Sequence, residues 1–340
     1  MTQHGVKLSS RTLPVRRRLW LLVPVLAIGV IIALTVPWNT GTLDSRPAPI
    51  TTYAQAVQRV DSLQAAQESS LIPECVIKLM THGRRADDVI VLVHGYTSCP
   101  QQFVDLGKQF FDQGYNVLIT PLPHHGLRDR MNTEQSLLTA EELVAYADDI
   151  LDLAGGLGER ITVGGISGGG VVAAWAAQHR RDVDLAVVIS PAFGFQQVPT
   201  PLTGASTNAF RLLPNSYAWW DPELQDRGGI PHAYPRYSTR ALAEFMRLGF
   251  AVRGAARRQP PAAGQILIIT NGAEPSVNNE LTQQLAGLWI KRAAVSLYEF
   301  PASLNLPHDL IDPLQPDQNT RAVYPVLVDL VAQARGIASP

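Results

Sequence analysis

The stretch Gly165-Ile166-Ser167-Gly168-Gly169 follows an apolar run at 161–164 and precedes a helix-like run at 171–177. A Gly-x-Ser-x-Gly pattern between a strand and a helix is typical of a tight turn that presents a nucleophilic serine. The outer glycines are needed because a side chain at either position would collide with the neighbouring strand or helix. The helix N-terminus also favours a developing negative charge. These five residues are also compatible with an ordinary glycine-rich turn. Other motifs in the chain are therefore needed to distinguish the two interpretations.

Length, charge and histidine spacing restrict the classes of protein that the chain can belong to. Its 340 residues suffice for one large domain or a domain with appendages. The net charge of −1 gives no reason to expect nucleic acid or another strongly charged partner. Since the sequence has no His-x-x-x-His pattern and no Cys/His cluster with ligand spacing, we expect no metal and no other cofactor.

An uncharged apolar segment lies near the N-terminus. Residues 19–38 are long enough to cross a bilayer, and Lys7 and four arginines precede them without an acidic residue. The positive-inside rule therefore predicts a single-pass signal anchor, with residues 1–18 as a basic cytoplasmic tail and the remaining chain outside the cytoplasm. A cleaved signal peptide is the alternative, but its apolar core is usually shorter, and Val36-Pro37-Trp38 is a poor cleavage context.

Strand and helix patterns alternate after the apolar segment. Residues 39–70 are expected to form a stalk and a short linker helix, and residues 71–340 a folded domain. Strands are predicted at 76–81, 89–93, 116–120, 160–164, 185–190, 265–270 and 295–299, and helices at about 101–113, 139–155, 169–180, 278–289 and 319–334. Because the later strands are continuous apolar runs, we predict an α/β fold with a mostly parallel central sheet and helices on both faces.

One region breaks this alternation. Residues 192–262 are rich in proline, aromatic and arginine residues and lie between two predicted core strands. We interpret them as a lid inserted over the sheet edge where ligands bind, with a helix from Thr239 to Val252. A structural insertion without a role in substrate binding is the alternative.

The only two cysteines are Cys75 and Cys99. A disulfide is permitted if the domain lies outside the cytoplasm. The runs 76–80 and 89–93 are predicted to be neighbouring strands joined by a turn at 83–87, and that hairpin would bring the two cysteines together. The sequence therefore predicts a Cys75–Cys99 disulfide that tethers the loop 96–99, with a free buried pair as the alternative.

A nucleophilic serine needs a histidine base, and the fold type predicts the chain order serine, acid, histidine. Three histidines follow Ser167: His179 in the next helix, His232 in the lid and His308 in the loop after the last predicted strand. Since this architecture presents a histidine to the nucleophile from that last loop, we predict that His308 is the general base and acid.

The histidine needs a carboxylate to orient it. Glu274 is the only carboxylate in the turn 271–277, which follows a predicted strand, and we predict that it fills this role. Asp309 and Asp312 are the alternatives, although both follow the histidine directly in the chain.

Two backbone N–H groups are predicted to form the oxyanion hole. The Gly168 N–H directly follows the serine, and the Tyr96 N–H lies in the loop His94-Gly95-Tyr96-Thr97, where Gly95 lets the chain turn. The loop His124-His125-Gly126 ends another strand at the same sheet edge and is interpreted as a wall of the site.

Four motifs in this order resemble the α/β-hydrolase family: Val91-Leu92-Val93-His94-Gly95-Tyr96-Thr97, Gly165-Ile166-Ser167-Gly168-Gly169, Glu274-Pro275-Ser276-Val277 and Pro307-His308-Asp309. Within it they are similar to the esterase and monoacylglycerol-lipase-like or serine-aminopeptidase-like branch, over roughly residues 75–335. The resemblance implies Ser167 as nucleophile, His308 as base, Glu274 as acid, and Tyr96 and Gly168 as oxyanion donors. The family more commonly has Asp as the acid, so Glu274 departs from its pattern.

These features predict a membrane-anchored, outward-facing serine hydrolase that cleaves small or lipid-like carboxylic esters through an acyl-enzyme. A peptidase, a thioesterase and an acyltransferase share the triad and remain alternatives. A non-catalytic binding member of the fold is the alternative from another class, and the intact set of nucleophile, base and oxyanion residues argues against it.

Overall fold

The computed structural model describes residues 43–220 and 229–336, together with residues 24, 29, 36–38 and 40. Within these residues no helix is both long and apolar enough to cross a membrane. The predicted cytoplasmic tail, residues 1–18, and most of the predicted anchor, residues 19–38, lie outside the described residues.

Seven strands form one sheet, and two more form a separate antiparallel hairpin in the predicted lid region. Along the chain they are β1 (Lys78–Met80), β2 (Ala86–Val93), β3 (Asn116–Thr120), β4 (Gly158–Ile166), β5 (Val183–Ile189), β6 (Tyr217–Trp219), β7 (Arg236–Ser238), β8 (Gln265–Asn271) and β9 (Ala294–Phe300). The sheet order is β1-β3-β2-β4-β5-β8-β9, and every pairing is parallel except that of β1 with β3. All seven predicted strands are confirmed.

The predicted hairpin between the first two strands is wrong, because β3 lies between β1 and β2. β3 is buried along its whole length and pairs in parallel with β2, whereas the three residues of β1 are only half-buried. The completely buried strand therefore takes the inner position, and the short strand is left at the edge.

Eight α-helices surround the sheet within the described residues. They are α1 (Tyr53–Gln67), α2 (Val104–Asp112), α3 (Ala140–Leu157), α4 (Gly168–His179), α5 (Thr203–Leu212), α6 (Thr239–Arg258), α7 (Asn279–Trp289) and α8 (Thr320–Ala334). The helix predicted from residue 101 begins as a 3₁₀ turn, Pro100–Phe103, and continues as α2. Helix α5 and the β6–β7 hairpin were not predicted from the sequence.

The strands bury both of their faces. Along β2, Val89, Val91 and Val93 belong to a core with α1, α3, α4, α6 and α7, while Ile90 and Leu92 belong to a second core with α2 and α8. Side chains of a strand alternate between its two faces, so this division places helices on both sides of the sheet, as predicted.

The segment assigned to a stalk is bound to the domain over residues 43–50. The Asp148 carboxylate accepts hydrogen bonds from the Ser45 hydroxyl and the Arg46 N–H, and Asp152 accepts one from the Ala48 N–H. Both carboxylates also pair with Arg180, whose side chain is 1% exposed. The chain therefore enters the domain along α3 and does not leave it as a free stalk at these residues.

Candidate active site

Ser167 lies at the sharp turn between β4 and α4. Its φ is +56° and its ψ is −115°, a strained conformation for a residue other than glycine. A Cβ added to Gly165 would lie 2.2 Å from the Gly169 carbonyl oxygen, and one added to Gly169 would lie 2.1 Å from the Val93 carbonyl oxygen. The glycines two residues before and after Ser167 are therefore needed for the close approach that the sequence analysis predicted.

The loop after β2 lies directly against the serine. A Cβ added to Gly95 would be 3.5 Å from the Ser167 Cβ, and one added to Gly168 would be 3.1 Å from the Tyr96 backbone nitrogen. Within residues 43–220 and 229–336, neither the Tyr96 nor the Gly168 N–H donates a hydrogen bond to a protein acceptor. Two adjacent donors without acceptors can both bind one oxyanion beside Ser167.

His94 fixes the direction of the Tyr96 N–H. Its Nε2 accepts a hydrogen bond from the Leu122 N–H, so the ring proton is on Nδ1, which donates to the Gly95 carbonyl at 2.9 Å. Burial, and then the nearby His125 ring, lower the pKa of His94 well below its usual value and keep the ring neutral. Since a trans peptide directs its C=O and N–H to opposite sides, the held Gly95 carbonyl turns the Tyr96 N–H away from His94.

His308 and Glu274 form a hydrogen-bonded pair after β9 and β8. The His308 Nδ1 lies 2.8 Å from the Glu274 Oε1, and this oxygen also accepts hydrogen bonds from the Ser276 and Val277 N–H groups. The Asn271 side chain donates to the carbonyls of residues 306 and 307 and so holds the histidine loop beside the glutamate turn.

The pair shifts the two pKa values in opposite directions. Burial by itself lowers the pKa of His308, but the charge and the hydrogen bond of Glu274, with the charge of Asp309, outweigh it and raise that pKa above its usual value. Burial would raise the pKa of Glu274, but the imidazole and the Ser276 and Val277 N–H groups lower it below its usual value. A buried carboxylate that stays ionised can hold the imidazole in one tautomer and stabilise the imidazolium.

The serine and the histidine come to the same edge of the sheet without a hydrogen bond between them. β2, β4, β8 and β9 run in parallel, so the loops that carry Tyr96, Ser167, Glu274 and His308 all lie beyond their carboxyl ends. Among the described residues, no hydrogen bond joins the Ser167 hydroxyl to the His308 ring. Such contacts often become short only when a substrate binds.

The alternative acids and histidines have other partners. Asp309 accepts hydrogen bonds from the Gln102 and Gln315 side chains, and Asp312 pairs with His232 at 2.7 Å. His179 stacks on Trp175 in α4, with ring centroids 5.2 Å apart. Among the described residues, Glu274 is thus the carboxylate that hydrogen-bonds to His308.

The Cys75–Cys99 disulfide is confirmed, with its two Cα atoms 5.2 Å apart. It joins the 3₁₀ turn Pro73–Cys75 to the end of the loop that carries Tyr96. The hairpin from which it was predicted does not exist, but β1 and β2 lie on either side of β3, which still brings the two cysteines together. His125, from the loop that the sequence analysis interpreted as a wall of the site, packs against the Tyr96 ring with ring centroids 5.5 Å apart.

Aromatic side chains of the predicted lid region lie beside the nucleophile elbow and the loop after β2. Phe245 of α6 lies over the elbow, with its Cε1 2.9 Å from the position of a Cβ on Gly168. The Trp220 Nε1 donates to the Thr97 hydroxyl at 2.7 Å, and the Tyr96 hydroxyl accepts from the Ser238 N–H at 2.8 Å. The lid is thus joined to the loop beside Ser167 by three aromatic side chains.

A cluster of metal-ligating side chains is not found in the part of the chain that the structure describes. No group of three or more His, Cys, Asp or Glu residues there is arranged to hold an ion.

The sequence is similar to a known protein family and to a curated relative. A sequence model of the family described as "Serine aminopeptidase, S33" matches residues 84–286, more than half of the 340-residue chain. The thermostable monoacylglycerol lipase of Bacillus sp. (strain H-257) is 24% identical over 159 residues, which are 47% of this chain. The chain spans about 60% of the length of that curated relative.

Solved structures show the same fold at low sequence identity. The monoacylglycerol lipase of Paleococcus ferrophilus is 19% identical, with a TM-score of 0.58 over 76% of this chain and 98% of that one. A soluble variant of monoglyceride lipase from Saccharomyces cerevisiae is 13% identical, with a TM-score of 0.55 over 78% of this chain and 92% of that one. With the match to the family model, the fold leads to one conclusion: the chain belongs to the serine aminopeptidase S33 family of α/β-hydrolases.

Proposed function

We propose that the protein is a serine hydrolase that cleaves carboxylic esters through an acyl-enzyme, with Ser167 as nucleophile, His308 as base and Glu274 as acid. The observation that carries the proposal is the pair of Tyr96 and Gly168 N–H groups beside Ser167, neither of which has an acceptor in the described residues. A binding domain has no need for two unsatisfied donors at a strained serine, whereas acyl transfer does.

The proposed reaction has two halves. His308 Nε2 takes the proton of the Ser167 hydroxyl as its oxygen attacks the ester carbonyl, and the oxyanion is bound by the Tyr96 and Gly168 N–H groups. The imidazolium, stabilised by Glu274, then protonates the leaving alcohol. A water activated by His308 attacks the acyl-enzyme in the second half and releases the acid.

A lipid-like monoester is the proposed substrate. Phe245 and Trp220 place apolar rings beside the elbow and its neighbouring loop, which suits an acyl chain better than a charged group. The names of the lipases of Bacillus sp. and Paleococcus ferrophilus support the same class. The family description supports an aminopeptidase as the competing activity.

A substrate panel tests the reaction class. Purified protein is assayed with p-nitrophenyl esters of increasing chain length, monoacylglycerols and aminoacyl amides. We expect turnover of the esters and monoacylglycerols, its loss in Ser167→Ala, and normal rates in Ser62→Ala, whose serine is exposed on α1. Turnover of the amides alone would favour the peptidase, and no turnover in any class would contradict a hydrolase.

We also propose that residues 19–38 anchor the protein in a membrane, with the catalytic domain outside the cytoplasm. The basic residues before the apolar run and the Cys75–Cys99 disulfide, which suits an oxidising compartment, support this orientation. Residues 43–50 are bound along α3, so the domain would lie close to the bilayer. We expect the full chain to stay in the membrane fraction after a carbonate wash, and release by that wash would contradict the anchor.

A further inference from the structure

Gln102 joins the loop beside the nucleophile to the loop that carries the histidine. It lies in the 3₁₀ turn directly after Cys99, and the residue is 2% exposed. Its Oε1 accepts a hydrogen bond from the Gly95 N–H at 2.8 Å, and its Nε2 donates to the Asp309 Oδ2 at 2.7 Å. The partners determine the orientation of the amide, because an N–H can only donate and a carboxylate can only accept.

We propose that Gln102 is a positioning residue, which sets the oxyanion donor at Tyr96 relative to His308. This inference rests on the proposed hydrolase function and adds to it a residue that need not touch the substrate. Gln102 and Asp309 are 207 positions apart in the sequence, so no single sequence motif contains both ends of this link.

The link fixes the first half of the oxyanion loop. The Gly95 carbonyl is held by the His94 Nδ1–H and by the Ser98 N–H at 3.1 Å, and Gln102 holds the Gly95 N–H on the preceding peptide. Both peptide planes at Gly95 are thereby fixed, and the Tyr96 N–H cannot turn away from Ser167. Without the Gln102 oxygen the buried Gly95 N–H would seek another acceptor, and the loop would move with it.

The same link fixes the start of the loop after His308. The Asp309 Oδ2 accepts hydrogen bonds from Gln102 and Gln315, and its Oδ1 accepts from the N–H groups of Ile311 and Asp312. The residue adjacent to the proposed base is therefore bound on both of its oxygens. A shift of Gln102 would displace the histidine loop and the oxyanion loop together.

At neutral pH only a carboxamide can both accept a hydrogen bond from the Gly95 N–H and donate one to the Asp309 carboxylate, which gives a specific test. In Gln102→Glu an ionised carboxylate would face the Asp309 carboxylate. The other titratable side chains that the two joined loops bring to this region are neutral His94, Tyr96, His308 and Asp312, and Asp312 pairs with His232. A protonated carboxylic acid, however, can donate to Asp309 and accept from Gly95 as the amide does. Adding Asp309→Asn to this variant reverses the direction of the donor, so that an ionised carboxylate at position 102 would again make both hydrogen bonds. The Gln315 amide, which donates to the same Asp309 oxygen, would turn over to present its oxygen to the new NH₂ group.

We expect Gln102→Glu to lower kcat for an ester by about 10–100-fold at pH 8, with KM within a factor of about two, because the lost interaction acts on the transition state. The ratio of its kcat to that of the wild type should rise as the pH falls to about 5.5, as expected for a glutamic acid that becomes protonated. The double variant Gln102→Glu/Asp309→Asn should recover most of the rate at pH 8. Gln101→Glu, on the same turn, is the matched control and should keep the wild-type kcat.

Two results would overturn the proposal: a kcat of Gln102→Glu within a factor of about two of the Gln101→Glu control, or a loss that neither acid nor Asp309→Asn reverses. If Gln102→Glu alone does not fold at pH 8, the kcat of the double variant provides the test. A folded double variant with a low kcat would also overturn the proposal. Activity of the wild type and its loss in Ser167→Ala report separately on the proposed hydrolase function.

Discussion

At the scale of the residue, the site depends on small groups held at very short distances. Ser167 keeps its positive φ because its N–H donates to the Ile189 carbonyl and its carbonyl accepts from the N–H groups of Val171 and Ala192. Strain of this kind persists only where the surroundings determine the conformation. The hydroxyl is thereby presented at the N-terminus of α4.

Gly168 has a requirement for space as well as a role as a donor. A methyl group there would lie 2.9 Å from the Phe245 ring and 3.1 Å from the Tyr96 nitrogen. We expect Gly168→Ala to lower kcat by about 10²-fold, as for the loss of one oxyanion donor. Gly287→Ala is the control, because its added methyl group meets nothing within 4 Å, and it should leave kcat unchanged. Equal kcat values for the two variants would contradict this role.

The pH dependence follows from the pair of His308 and Glu274. Activity needs neutral His308, so kcat/KM should fall as the pH falls through a pKa that Glu274 holds above 6.5. Removing the charge in Glu274→Gln should lower that pKa, move the acid limb to lower pH and reduce kcat by about 10⁴-fold. Glu280→Gln, an exposed carboxylate on α7, should leave the profile unchanged. An acid limb that moves to higher pH in Glu274→Gln would contradict the assignment.

At the scale of the element, the loop after β2 is held from several directions. The disulfide fixes its end, His94 fixes its middle, and the Tyr96 side chain attaches it to the lid at Ser238. Preorganised donors of this kind require no rearrangement when charge develops in the transition state.

Removing the disulfide should lower the stability of the protein strongly and its kcat only slightly. Cys75 and Cys99 are 24 positions apart, so Cys75→Ala/Cys99→Ala should lower the free energy of unfolding by about 3 kcal/mol. We expect kcat to fall only by roughly a factor of 2–5, because His94 and Gln102 still hold the loop, whereas loss of a whole oxyanion donor removes far more. Chemical denaturation and steady-state kinetics measure the two effects, and an unchanged denaturation midpoint would contradict the first.

Arg180 supports another element, the extended segment 43–50. It pairs with Asp148, Asp152 and Asp182, and the first two carboxylates hold that segment. Arg180→Leu leaves buried carboxylates without their cation and should cost about 3–5 kcal/mol of stability. The exposed neighbour provides the control, Arg181→Leu, with little expected change. Hydrogen exchange should show faster exchange at Arg46 and Ala48 only in the Arg180 variant, and equal protection in both variants would contradict this link.

At the scale of the whole molecule, the sequence predicted the sheet better than the lid. The core strands are continuous apolar runs, and such runs identify strands buried on both faces. Helix α5 contains Thr, Gly, Ser and Asn, which are weak helix formers, and it is stabilised by packing on α6. Its helical state therefore depends on tertiary contacts that the local pattern does not contain.

In the candidate active site too, the sequence indicates the residues of local motifs but not those whose role depends on tertiary contacts. Ser167, Glu274 and His308 could be predicted because each follows a recognisable strand in a fixed chain order. Gln102 gave no such signal, since a glutamine in a surface-like turn acquires its meaning only from Asp309, 207 positions away. Links of this kind between distant loops are visible only in three dimensions.

A mass-spectrometric test with a fluorophosphonate probe addresses the central claim most directly, because the probe reacts only with a serine whose base and oxyanion donors are in place. The account predicts one adduct per chain, located on Ser167, absent in Ser167→Ala and retained in Ser62→Ala. A folded wild-type protein that stays unlabelled, or that carries its adduct on another serine, would contradict the account.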